Sequence, residues 1–410
     1  MLQVKMNLLC VATLLGCAWR TTLAETCSWC TGGACVPDCP AELRRLHVPW
    51  LEAGTGGLVV PYWQSSQQPV LGDFSAEYEY GYVTHHGDGR NGETYLCGAY
   101  NGVLERFGAA AGAKKVLVIA PQVYEKIDDR PADVIYWDEQ DDKLPARKWN
   151  WGGNSSSDFN TSISSFDTLD IFLRIMSNKQ VYPNIRRIFV AGHSSGGQIV
   201  QRYALASTLD GTLGVPVEYF VANPSSYTYL DGKRPVLPAL ESEGCLFCVN
   251  KSIAGATYTF QEPEEAASKC PGYNDYGFGL LGTLVPYYTT SSSAPLLRLK
   301  ELYGDKSVNY VSGESDVCNR PWMESHSCTS CDPDDGGFET TCGDMLQGHC
   351  RMERAHAFAQ AIKLYYKGHA RSHRLLSVPG VGHNGCAIFQ SPEVLGVMFP
   401  ADVQSNVVVA

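Results

Sequence analysis

Ile188-Phe189-Val190-Ala191-Gly192-His193-Ser194-Ser195-Gly196-Gly197 is the stretch that decides how this chain is read. Its first four residues form a short apolar run of the kind that buried strands carry, and 197–206 continues with helical spacing. Between them stands G-x-S-x-G. A serine hydroxyl is a poor nucleophile until it is held exposed beside a base. A sharp strand-to-helix turn holds it so, and small residues around the serine let the backbone bend that tightly. The pentapeptide alone is a weak signal, because its residues are common. Its place after a strand-like run and before a helix gives it weight.

Outward from this point, β and α patterns alternate. Residues 57–63 and 77–84 read as early strands, and 95–111 as a helix. The near-continuous apolar run 115–120 reads as a strand buried on both faces of a parallel sheet. A helix is expected over 166–176, started by a capping box at Ser164-x-x-Asp167, and a strand over 217–222. Residues 224–305 are irregular and rich in Pro, Gly, Tyr and Ser. Regularity resumes with a strand at 307–312, a helix around 345–366 and a strand at 375–378. The expected fold class is therefore α/β, with a mostly parallel, doubly wound sheet and an inserted lid after the sixth strand.

A serine nucleophile needs a base, an acid to orient the base, and donors for the oxyanion. Ser194 has candidates for each. His383 follows the strand 375–378 through Pro379-Gly380-Val381-Gly382, and an imidazole titrates near neutral pH. Asp316 stands just beyond the strand 307–312. Glu314 competes for the same role, with the acidic loop of Asp332, Asp334 and Asp335 as a distant third. The oxyanion donors are expected from the Ser195 amide and from the Gly-rich segment His86-Gly87-Asp88-Gly89, at Gly87 or Asp88. Trp137, Trp149 and Trp151 read as packing under a long loop rather than as a binding wall.

These pieces resemble the α/β-hydrolase superfamily over roughly 77–400, and more narrowly a group of secreted or periplasmic hydrolases. The resemblance is carried by Ala191-Gly192-His193-Ser194-Ser195-Gly196-Gly197-Gln198 with Gln201-Arg202-Tyr203-Ala204. Val221-Ala222-Asn223-Pro224-Ser225-Ser226-Tyr227 and Val378-Pro379-Gly380-Val381-Gly382-His383 extend it. It implies an α/β-hydrolase fold with Ser194 as nucleophile, Asp316 as acid and His383 as base. The chain departs from the usual pattern in its cysteine-rich N-terminus and between Asp316 and Cys350, so access to the pocket is not implied.

Bulk properties agree with a secreted enzyme. Residues 1–24 read as a signal peptide: Lys5, an apolar core, then Thr22-Leu23-Ala24. The formal charge of −11 becomes −13 once the two cations of that leader, Lys5 and Arg20, are removed. Such an acidic body argues against nucleic acid as partner, and no apolar stretch is long enough for a membrane anchor. The leader takes Cys10 and Cys17 from the 16 cysteines, leaving an even number. Cys27/Cys30 and Cys328/Cys331 have zinc half-site spacing, but disulfides are the favoured reading in an oxidising compartment. Sequons begin at Asn154, Asn160 and Asn250. The expected organisation is a Cys-rich segment 25–56, a hydrolase domain 57–400 with lid insert 224–305 and Cys-rich loop 317–343, and a tail 401–410. The expected activity is hydrolysis of a small-molecule or polymeric carboxylic ester, without cofactor or metal. The aromatic residues of the insert (Tyr227, Tyr229, Tyr258, Phe260, Tyr276, Phe278) favour an apolar or aromatic substrate moiety. A peptidase or acyltransferase on this fold, and a non-catalytic binding protein, are the alternatives.

Overall fold

The computed structural model describes residues 39–47, 59–138, 147–156, 162–237, 255–263, 268–317, 341–370 and 372–400. The expected signal peptide 1–24, Asn160, Asn250, both C-x-x-C pairs, most of the expected Cys-rich loop and the tail 401–410 lie outside them. Eight strands form the central sheet: β1 (Ala41–His47), β2 (Val59–Ser65), β3 (Tyr80–His85), β4 (Val116–Pro121), β5 (Arg187–His193), β6 (Val217–Ala222), β9 (Ser307–Gly313) and β10 (His373–Val378). A two-residue ribbon, β7 (Arg234–Pro235) with β8 (Phe260–Gln261), stands apart. The sheet order is β1-β2-β4-β3-β5-β6-β9-β10. Only β2 runs against its neighbours; from β4 onward every pairing is parallel. This is the mostly parallel α/β sheet that the alternation predicts.

The strand sequences explain why both faces are covered. Along β5, Ile188 and Val190 join one core cluster while Phe189 and Ala191 join the other. In β6, Tyr219 and Val221 divide from Phe220 and Ala222 in the same way. Alternate side chains point to opposite faces, so a continuous apolar run demands a helical layer on each side. One layer holds α1 (Gly92–Phe107) and α9 (Pro392–Met398), and the other holds α3 (Ser165–Ser177), α4 (Ser195–Ala206) and α7 (Arg351–Tyr365). The expected capping box forms at α3, where Ser164 accepts from the Phe166 amide and Asp167 accepts from the Ser164 amide.

Three expectations change. The helix expected over 95–111 is two: α1 stops at Gly108, whose φ of +80° no helix tolerates, and α2 (Ala109–Lys115) follows. The helix around 345–366 is likewise divided, into α6 (Cys342–Met345) and α7. The Cys-rich segment 25–56 is not separate from the hydrolase body, because β1 lies inside it and pairs with β2 along all seven residues. Cys39, just before β1, is bonded to Cys97 of α1. A second disulfide joins Cys270 to Cys342, and Cys350 and Cys386 are also disulfide-bonded.

The insert 224–305 packs onto the body. Tyr227 stacks on Phe358 of α7 at 4.4 Å, and Tyr276 meets Trp151 edge-on. Buried Arg234 donates to the carbonyls of Asp231, Lys233, Tyr273 and Phe278, so one guanidinium ties together a stretch whose own sheet is only the two-residue ribbon. Its last ten residues form α5 (Leu296–Asp305). Trp137, Trp149 and Trp151 are buried in the core, as the packing reading expects.

Candidate active site

Ser194 sits between the end of β5 and the start of α4 with φ 59° and ψ −125°. Serine avoids this region unless its surroundings impose it. Here they do, through backbone approaches that leave no room for side chains. A Cβ on Gly192 would lie 2.1 Å from the Gly196 carbonyl oxygen. One on Gly196 would lie 2.5 Å from the carbonyl oxygens of both His85 and His86, and one on Gly197 2.6 Å from that of Ala222. The glycines of the motif are thus required by the closeness of β3, β5 and β6 at their C-terminal ends.

The same ends carry the other two residues. Asp316 is reached by a turn closing on Gly313, where β9 finishes, and it is 1% exposed. His383 stands five residues beyond β10. Its Nδ1 lies 2.8 Å from Asp316 Oδ2, which makes Nδ1–H the donor and leaves Nε2 as the acceptor of the ring. Glu314 is exposed, so of the two competing carboxylates it is Asp316 that meets the imidazole. Ser194 and His383 line one cavity of about 210 Å³. Gly87 and Asp88 line it too, and a Cβ on Gly87 would lie 3.3 Å from the Ser194 Cβ. Ser195 opens α4 beside it. The structure therefore brings all six sequence-expected site residues to one place.

Four residues of this centre carry no sequence signal for their roles. Asn223 holds φ 42° just after β6, donates to the Gly382 carbonyl at 3.3 Å and accepts from the Gly313 amide at 3.0 Å. It clamps the Asp316 loop to the His383 loop. Arg351, fully buried at the start of α7, places Nη1 3.5 Å from Asp316 Oδ1. Burial pushes the Asp316 carboxyl up, and the Arg351 cation opposes this. His193 lies face-near to His383, ring centres 4.4 Å apart, with Nδ1 3.0 Å from the Tyr95 hydroxyl. Burial, then the neighbouring His383, hold His193 well below the usual imidazole range, so it is neutral. A Cβ on Gly87 would lie 3.0 Å from the Tyr95 hydroxyl, which sets that ring against one of the two candidate oxyanion segments.

The insert contributes differently from the sequence expectation. Tyr227, Tyr229, Tyr258 and Tyr276 are buried in the body, and Phe260 and Phe278 pack against it. No described residue of 224–305 lines the cavity at Ser194. These aromatic side chains are core, and the preference for an aromatic substrate drawn from them is withdrawn. Among the described residues, no group of three or more His, Cys, Asp or Glu is placed to hold a metal ion. Among them also, no helix is long and apolar enough to cross a membrane.

No family model matches the chain, and no curated protein does. Similar solved structures include the poly(3-hydroxybutyrate) depolymerase LpqC of Bordetella parapertussis, at 17% identity and TM-score 0.47 over 92% of this chain and 94% of that one. Poly(aspartic acid) hydrolase-1 of Sphingomonas sp. KT-1 is similar at 16% identity and TM-score 0.45, over 85% and 96%. The siderophore hydrolase EstB of Aspergillus nidulans follows at 11% identity and TM-score 0.35, over 89% and 96%. The architecture rests on the chain's own sheet: in strand order and direction it has the α/β-hydrolase fold.

Proposed function

We propose that this protein is a secreted serine hydrolase that cleaves carboxylic esters through an acyl-enzyme on Ser194. The observation that carries the reading is the conjunction at one cavity. A serine held at φ 59° shares it with an imidazole whose Nδ1 is bonded to a buried carboxylate. His383 Nε2 takes the Ser194 proton as Oγ attacks the ester carbonyl. Asp316 fixes the tautomer and stabilises the imidazolium that results. The oxyanion is received by the Ser195 amide and by the Gly87–Asp88 segment. The imidazolium returns its proton to the leaving alcohol. Water, deprotonated by His383, then releases the acid and restores Ser194.

The signal-like leader and the disulfide-bonded state of all six described cysteines support secretion. An amide or an acyl acceptor other than water would use the same groups, so a peptidase or acyltransferase is the second reading.

The test is labelling of purified protein by a fluorophosphonate probe, wild type beside Ser194→Ala, followed by hydrolysis of p-nitrophenyl acetate. Labelling and turnover that vanish together in the variant are expected. A folded wild type that neither labels nor hydrolyses overturns the catalytic reading and moves the binding-protein alternative ahead.

A further inference from the structure

We propose that the cavity beside Ser194 is an acyl pocket of short, fixed reach, selecting short, uncharged acyl groups over long or bulky ones. The inference rests on the serine-hydrolase reading above. It starts from size. The cavity holds about 210 Å³, below the ~300–1,000 Å³ of sites that enclose drug-sized ligands.

The closed end of the cavity explains why that reach is fixed. It is built from Gly98 and Ala99 of α1 together with Cys386 and Phe389 of α8 (Gly385–Gln390). The two helices are in contact there: a Cβ on Gly98 would lie 2.7 Å from Cys386 Sγ. Ala99 and Phe389 are buried in the core behind it, 1% and 2% exposed. Both helices are also cross-linked at this point. Cys97, next to Gly98, is bonded to Cys39, and Cys386 is itself disulfide-bonded. Close-packed walls that are covalently tied give way little to a longer chain.

Charge sets the second limit. Among the described residues, Asp88 is the sole lining residue with a carboxylate, and no Lys or Arg lines the cavity. His193 is neutral. A substrate carboxylate would therefore meet Asp88 with no cation to pair it, in a protein already at −11. At the open end, Asn91, Thr94 and Asn384 offer hydrogen bonds to a polar alcohol portion.

The experiment is a kcat/KM series on p-nitrophenyl acetate, butyrate, octanoate, benzoate and hemisuccinate, with fluorophosphonate labelling run on the same preparation. Acetate and butyrate should each exceed octanoate and benzoate by at least tenfold, within the ~10–200-fold range of pocket misfit. Butyrate should exceed hemisuccinate, which has the same four acyl carbons, by at least tenfold, and Asp88→Asn should narrow that gap. Octanoate or benzoate within tenfold of butyrate overturns the short pocket. Hemisuccinate within tenfold of butyrate overturns the charge limit. Both results leave the serine-hydrolase reading standing if the serine labels, whereas a wild type without labelling or turnover removes that reading and this inference with it.

Discussion

Asp316→Asn is the substitution that tests the centre most directly. The amide keeps the shape of the carboxylate but loses its charge and offers the ring a donor as readily as an acceptor. In the wild type, Asp316 Oδ2 lies 2.8 Å from His383 Nδ1 at a site from which solvent is excluded. Two opposite unit charges about 4 Å apart at an effective dielectric of ~20 attract by ~4 kcal/mol. That attraction exists only once His383 is an imidazolium, so its loss falls on the transition state. At ~1.4 kcal/mol per decade it corresponds to a drop of ~10³ in kcat, with KM nearly unchanged. Arg351, 3.5 Å from Asp316 Oδ1, pushes the number up. With the carboxylate gone, its cation faces the imidazolium across a buried site. Breaking that pair also costs stability, of order 3–5 kcal/mol for a buried partner left uncompensated. Thermal melts must therefore accompany the kinetics, and turnover is to be read well below the variant's Tm. Glu314→Gln is the control, because Glu314 is exposed. A folded Asp316→Asn protein that keeps more than a tenth of kcat refutes the assignment. So does an equal loss in Glu314→Gln.

Gly192→Ala should lower Tm and abolish probe labelling, since its Cβ would stand 2.1 Å from the Gly196 carbonyl oxygen, and that carbonyl belongs to α4 and cannot swing aside; a variant with wild-type Tm and labelling would show the turn is looser than argued. Asp170 gives a pH signature. Burial raises its carboxyl from 3.8 to about 6, against the hydroxyls of Tyr203 and Tyr287 that donate to it. Because the folded value is the higher one, the native state holds the extra proton. Its stabilisation is complete below pH 4 and is lost as pH rises through 6, by up to ~3 kcal/mol for two units. Urea unfolding at pH 4.5 and 7.5 should show Asp170→Asn losing this decline, and an unchanged pH slope in the variant would refute it.

What the sequence made legible were features set by local chemistry. The runs around Ile188 and Val217 could only be two-faced strands, and their residues divide between the two cores in alternation. Ser164 and Asp167 fit the start of a helix whatever lies around them. The glycines at 192, 196 and 197 pointed to a tight turn, and the turn is there. By contrast, β1 was hidden, because Ala41-Glu42-Leu43-Arg44-Arg45-Leu46-His47 carries the charges of an edge strand. The divided helices were missed because Gly108 breaks α1 through its φ, which composition does not report.

The aromatic-rich insert shows where sequence reading stops for a physical reason. A tyrosine lining a pocket and one closing a core look alike in sequence, for each needs an apolar wall and a place for its hydroxyl. What separates them is which side of the sheet the segment reaches. The insert leaves β6 and packs on the layer of α4 and α7, where Tyr227 finds Phe358. The cavity lies against the opposite layer, between α1 and α8, and is closed by Gly98, Ala99, Cys386 and Phe389. Asn223 and Arg351 escape for the same reason. Each acts across a gap of more than thirty residues that only the parallel strand ends close. Under the proposed function the chain carries its chemistry in two places: the serine in a contiguous motif, and the limits on its substrate in which helix the folded sheet sets beside it.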